Sequence, residues 1–106
     1  MTKRSLGEFE QLVLLAILRV GDEAYAVPVI NEIEAHTDRK VSHAAVYIAL
    51  RRLEEKGLVV SRLAEATPER GGRGKRYYEV DPAAREMLQE SRQVLIRMWD
   101  GLELVK

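Results

Sequence analysis

Apolar residues recur at helical spacing in four separate stretches of the chain, and between the third and fourth stretches they change to two strand-like runs. Ser5 with Glu8 three residues on has the spacing of a capping box, and Phe9, Leu12, Val13, Ala16, Ile17 and Val20 follow at helical period until Gly21 ends them. Leu14, Leu15 and Leu18 fall outside that stripe, so this first helix is apolar on more than one face and needs two surfaces to bury itself, one of which could belong to another subunit. Tyr25-Ala26-Val27 reads as a short extended link, and Pro28 suits the first turn of a second helix whose inward residues are Val29, Ile30 and Ile33 and whose end falls near His36-Thr37-Asp38.

Ser42 is placed to cap a third helix, with Val46, Ala49, Leu50 and Leu53 towards the core and His43, Ala44, Tyr47, Ile48, Arg51 and Arg52 towards the outside. Gly57 is the expected glycine just past its end. Leu58 to Ala64 then reads as a strand, Thr67 to Gly74 as a loop, and Lys75 to Val80 as a returning strand in which Tyr78 and Val80 alternate with Tyr77 and Glu79. Asp81-Pro82 forms a cap and first-turn pair for a last helix that extends almost to the end. Along it Ala84, Met87, Ser91, Val94 and Met98 step by three and four like a coiled-coil seam, flanked by Leu88, Leu95, Trp99 and Leu102. Such a helix needs a partner.

This order predicts a mainly α fold with a small β-hairpin: a winged helix-turn-helix over residues 1–80 and a long C-terminal dimerisation helix over residues 81–106, together one compact unit. At 106 residues the chain supports a single modest core, to which a partner subunit would add burial.

Charge sharpens the picture. The formal net charge is +0, which by itself argues against a polyanion partner. Its distribution argues the other way, because the segment from His36 to Tyr78 carries ten Lys and Arg against five Asp and Glu, an excess of about five positive charges, and leaves both ends acidic. Four of those cations, Arg70, Arg73, Lys75 and Arg76, surround the glycines of the hairpin loop. A capped helix followed by a hairpin with a Gly- and Arg-rich tip is what gripping a duplex needs, one element filling a groove and the other following phosphates. The bland alternatives are a solvated helix face laced with ion pairs and a mobile soluble turn; the two features in succession favour nucleic acid.

Other chemistries fare worse. Gly71-Gly72-Arg73-Gly74-Lys75 resembles a phosphate-cradling loop only superficially, since that motif needs Gly where Glu69 stands and Ser or Thr where Arg76 stands. His36 and His43 lie seven apart without supporting ligands, so no metal and no cofactor is expected. No nucleophile, base and orienting acid assemble, and an enzyme is not expected. Without Cys there is no disulfide, thiolate site or thiol redox sensor, which suits a reducing compartment. The N-terminus is neither a signal peptide nor a membrane span, so the chain is expected to be soluble and cytoplasmic.

Ser42 through Leu58, followed by Lys75-Arg76-Tyr77-Tyr78, resembles the signature of the PadR family of bacterial transcriptional regulators. In that family a Tyr sits in the recognition helix, a Leu-Arg-Arg-Leu-Glu-x-Lys-Gly-Leu run closes it, and a paired-Tyr strand follows the wing; here Tyr47, Leu50 to Leu58 and Tyr77-Tyr78 occupy those places. The resemblance extends from Leu6 to Leu102, and the single C-terminal helix places it with the short members. Two departures lie away from the reading surface: the family's Tyr-Gly-Tyr-like approach to the second helix is Tyr25-Ala26-Val27-Pro28, and the Thr and Gly that usually open the last helix are Asp81 and Ala84.

The resemblance implies a homodimer that represses genes by occupying an operator and releases it when a small-molecule effector binds. Ser42, His43, Ala44 and Tyr47 are then expected nearest the base edges of a pseudo-palindromic double-stranded DNA site, with Arg51 on phosphate and Arg70, Arg73 and Lys75 supplying wing contacts. Leu14, Leu18, Met87, Val94, Leu95, Met98 and Leu102 are the candidate dimerisation residues. Trp99 is either a core or dimer anchor or, as in some short members, a platform for a planar effector between subunits. The competing class is a winged-helix protein-interaction adaptor that holds an acidic partner and never reads DNA.

Overall fold

The computed structural model describes residues 6–64 and 74–103. Its elements are α1 (Glu8–Val20), a 3₁₀ turn (Gly21–Glu23), α2 (Ala26–Thr37), α3 (His43–Glu55), β1 (Val59–Leu63), β2 (Arg76–Val80) and α4 (Pro82–Trp99). Helix α1 packs on α2, α3 and β2, and α2 packs on α3. The strands pair antiparallel, Val59 opposite Val80 and Leu63 opposite Arg76, and the Tyr78 N–H donates to the Ala24 carbonyl at 2.9 Å, stitching the hairpin to the link before α2.

Helix boundaries follow from side chains that satisfy orphan backbone groups. α3 starts where the Ser42 hydroxyl accepts from the Ala45 N–H at 3.0 Å, and α4 starts where the Asp81 carboxylate accepts from the Ala83 N–H at 2.9 Å with Pro82 behind it. α3 closes in a Schellman motif: the Gly57 N–H donates to the Glu54 carbonyl at 3.0 Å and the Leu58 N–H to the Leu53 carbonyl at 2.9 Å. Gly57 adopts φ +77°, which a side chain would resist, and the motif brings Leu53 and Leu58 into the core. α2 ends at Asp38 with φ 57°, tolerated because a short polar side chain visits the left-handed region at modest cost.

Two boundaries differ from the sequence reading. The residue preceding α1 is Gly7, whose N–H donates to the Glu10 carboxylate at 3.2 Å; Ser5 lies outside the described residues, and Glu8 pairs instead with Arg39 at 2.9 Å. Ala26 and Val27 are already helical, with Tyr25 as the cap residue, because a proline anywhere in the first turn forfeits no intrahelical hydrogen bond and Pro28 therefore need not open the helix.

The core is one cluster that includes Val13, Leu14 and Ile17 of α1, Val29 and Ile33 of α2, Val46, Leu50 and Leu53 of α3, Leu58, Val59 and Val80 of the hairpin, and Ala84 and Leu88 of α4. Leu14 is fully buried there, 0% exposed within a single chain, which corrects its assignment to a subunit contact, whereas its neighbour Leu15 stays 44% exposed. Leu18 and Met87 are partly buried against the same core. Past Ser91 every α4 side chain is exposed, including Val94, Leu95, Ile96, Met98 and Trp99.

Candidate nucleic-acid interface

Helix α3 buries Val46, Ala49, Leu50 and Leu53 and thereby turns Ser42, His43, Ala44, Tyr47, Ile48, Arg51 and Arg52 to solvent. Its position is fixed at both ends. The Glu10 carboxylate of α1 accepts from the Lys56 ammonium at 2.8 Å, and at the start of the turn into α3 Arg39 holds Glu8 while the Glu34 carboxylate accepts the Val41 N–H at 2.8 Å. Burial works against ionisation of Glu10, but hydrogen bonds from Lys56 and the Gly7 N–H, with the charges of Lys56 and Arg52, outweigh it and hold the carboxyl below its usual range. Among the described residues Arg51 has no side-chain partner, leaving its guanidinium available.

The hairpin flanks α3. On one face the Ser61 hydroxyl donates to Glu54 at 2.7 Å and accepts from Arg76 at 3.0 Å, so β1, β2 and the end of α3 share one polar chain. Tyr78 lies on this face, its phenol pushed above its usual range by burial and then by the Glu54 carboxylate, so it keeps its proton. On the other face Tyr77 is buried against Tyr25, with the Arg62 guanidinium 4.9 Å over the Tyr77 ring and the Lys75 ammonium 4.5 Å over the Tyr25 ring. Both tyrosines of the pair are thus covered, one on each side of the hairpin, and Lys75 folds back on the domain instead of extending freely from the wing. Arg70 and Arg73 lie outside the described residues.

Among the described residues neither histidine belongs to a ligand set. His36 stands 3.4 Å from Glu32 and 3.1 Å from Arg19, His43 opens α3 in solvent, and the described residues contain no cluster suited to a metal ion. No described helix is long and apolar enough to cross a membrane.

A second feature lies where α1 and α4 diverge. Leu15, Leu18, Leu88, Leu95, Ile96 and Trp99 line an open, mainly apolar cleft of about 780 Å³, and Trp99 is 55% exposed at its rim.

Residues 14–90, which span α1 to the middle of α4, match the transcriptional regulator PadR-like family. The chain belongs to that family. No curated protein sequence matches this PadR-like chain, but solved structures share its fold. A transcriptional regulator from Clostridium thermocellum superposes with TM-score 0.69 at 21% identity, over 85% of this chain and 84% of the other. A PadR family regulator from Eggerthella lenta gives TM-score 0.69 at 23% identity, over 89% and 81%. BpsR from Bordetella bronchiseptica, whose DNA binding is regulated by 6-hydroxynicotinic acid, gives TM-score 0.63 at 18% identity, over 98% and 73%.

Sequence reading turns Ile48 outward but leaves it out of the residues expected to touch DNA. In this PadR-like chain it is 51% exposed, beside Tyr47 at 53%. Helical period signals its prominence: at about 100° per residue, Ile48 lies about 150° from the centre of the buried stripe, further round than Tyr47.

Proposed function

We propose that this PadR-like protein is a homodimeric DNA-binding repressor that lays α3 of each subunit into successive major grooves of a pseudo-palindromic operator. The observation that carries the reading is the outward face of α3: Ala44, Tyr47, Ile48 and Arg51, which has no side-chain partner among the described residues, stand exposed on a helix clamped at both ends and flanked by a hairpin. Ser42, His43, Ala44 and Tyr47 address base edges from the N-terminal half of the helix, and Arg51 addresses phosphate. Arg70 and Arg73, and Lys75 once released from Tyr25, supply sequence-independent wing contacts.

The dimer is held by the exposed apolar stretch of α4, where Val94, Leu95, Met98 and Leu102 each leave about half or more of their surface open among the described residues, with Met87 and Leu18 at its edge. Two-fold symmetry then places half-sites about 10 bp apart or a multiple of that. A planar effector stacking on Trp99 in the cleft would release the operator if it favoured a different spacing of the two reading helices. BpsR, with a regulated DNA affinity and the same fold, supports this part of the reading.

Selection from a random duplex library at low and moderate salt tests the proposal. An enriched palindrome whose affinity falls steeply with salt supports it; a folded dimer that enriches nothing favours an adaptor that binds protein through the same surface.

A further inference from the structure

We infer that Ile48, with Ala44 one turn before it, forms an apolar step on α3 that recognises the C5-methyl groups of thymine in each operator half-site. The inference rests on the assignment of α3 as the reading helix and adds to it a stated base preference.

Ile48 is an unusual occupant of a solvent-facing helix position. The rest of that face past Tyr47 is charged, with Arg51, Arg52, Glu54 and Glu55. A β-branched side chain there gives up rotamer freedom and some helix propensity for only partial burial in return, since 51% of the residue stays in water. Ile48 itself lines an open cleft together with Phe9, Ala45, Ala49 and Arg52 and the acidic Glu8 and Glu10, and the outer part of its side chain stays free for a ligand.

The chemistry of that ligand is constrained. The side chains of Ile48 and Ala44 neither donate nor accept hydrogen bonds, so they cannot read the acceptors of guanine or the amino groups of adenine and cytosine. The one apolar group that an unmodified base pair displays in the major groove is the thymine methyl. Ala44 and Ile48 lie four residues apart on one side of the helix, one short and one long, so that they meet methyls at two depths of the groove. Arg51 and Arg52, exposed a turn further on, place two guanidinium groups within reach of a polyanion carrying methyl groups, which a lipid tail or a purely apolar partner would not use.

The test uses the full chain and the duplex it selects. Each dT is replaced singly by dU, which removes the methyl and keeps pairing and every hydrogen-bonding group, and affinity is measured for the wild type and for Ile48→Ala. The expected result is one or two symmetry-related positions per half-site where dU weakens wild-type binding roughly four-fold per methyl. Ile48→Ala should weaken the dT duplex by a similar factor, become indifferent to dU there, and retain the wild-type thermal unfolding midpoint because the side chain supports no core. Selective binding that tolerates dU everywhere overturns the methyl assignment and leaves the reading helix standing. An Ile48→Ala variant with a lowered unfolding midpoint and an unchanged dU pattern also overturns it, by making Ile48 a structural contact. Absence of any selective duplex removes the reading-helix assignment and this inference together.

Discussion

Tyr25 and Tyr77 meet edge to face, with ring centroids 5.6 Å apart and planes at 70°. Arg62 lies over the Tyr77 ring and Lys75 over the Tyr25 ring, so the cap residue of α2 is joined to the hairpin through a chain of cation-aromatic contacts. The wing is therefore positioned by the start of the helix-turn-helix as well as by the Ser61–Glu54 bond to its end.

Replacing Tyr77 with Leu keeps an apolar side chain at a buried site but removes the ring edge and the cation contact. The expected loss is about 1–2 kcal/mol, read from urea unfolding. Tyr77→Phe, which keeps the ring, should lose less than half as much. Equal stability of Tyr77→Leu and wild type would mean that these contacts position nothing.

Glu10 predicts the acid limb of stability. Its folded carboxyl titrates below the ordinary 4.5, so the unfolded chain binds the proton first. The stabilisation is fully present above the unfolded value and is lost as pH falls through the folded one. Glu10→Gln should cost about 1 kcal/mol at pH 7 and flatten the pH dependence of unfolding below the ordinary carboxylate value. A variant with the same acid limb as wild type would place that limb in other carboxylates.

Local rules made much of this fold legible. Ser42, Asp81 and Gly57 announce helix ends because each satisfies backbone groups within a few residues of itself, and the buried stripe of α3 follows from its period. Leu14 was not legible as core, because period shows that α1 has two apolar faces but not which one its own domain covers. The Tyr25–Tyr77 contact was hidden for a related reason: it joins distant segments, and nothing near Tyr77 in the sequence shows that a ring waits above it. At the site, period was enough to turn the outer face of α3 to solvent, Ile48 included. It did not show that Ile48 keeps half its surface open, since that depends on how closely α1 approaches. The arginines Arg70 and Arg73 of the wing tip lie outside the described residues.

Gly57 closes α3 at φ +77° with nothing within 4 Å of an added Cβ, so the cost of a side chain there is conformational and not steric crowding. Gly57→Ala should lose about 1 kcal/mol, and Gly57→Asn less, since Asn tolerates the left-handed region. Chemical denaturation of the three proteins checks the order. Equal losses would show that the amide of Asn gives no relief at this turn.

Arg51 separates affinity from specificity. If it meets phosphate, Arg51→Ala weakens selected and random duplexes by similar factors and shallows the log-log salt dependence by about one unit. Affinity titrations at several salt concentrations give the slope. A loss confined to one base position, with the slope unchanged, would instead put Arg51 on a base edge.

Leu95 tests whether the exposed end of α4 holds the proposed dimer. It is 54% exposed in one chain and is no part of the core cluster, so Leu95→Glu should leave the monomer fold and its unfolding cooperativity intact. Across a two-fold interface the same substitution introduces two carboxylates into an apolar contact, and dimer dissociation should rise at least about ten-fold, readable by sedimentation at several concentrations. Operator affinity should fall with it, because two linked reading helices bind the second half-site at a high effective concentration and two separate monomers do not. A Leu95→Glu protein that remains dimeric would move the interface off this stretch of α4, and with it the route by which a ligand at Trp99 could reach the reading helices.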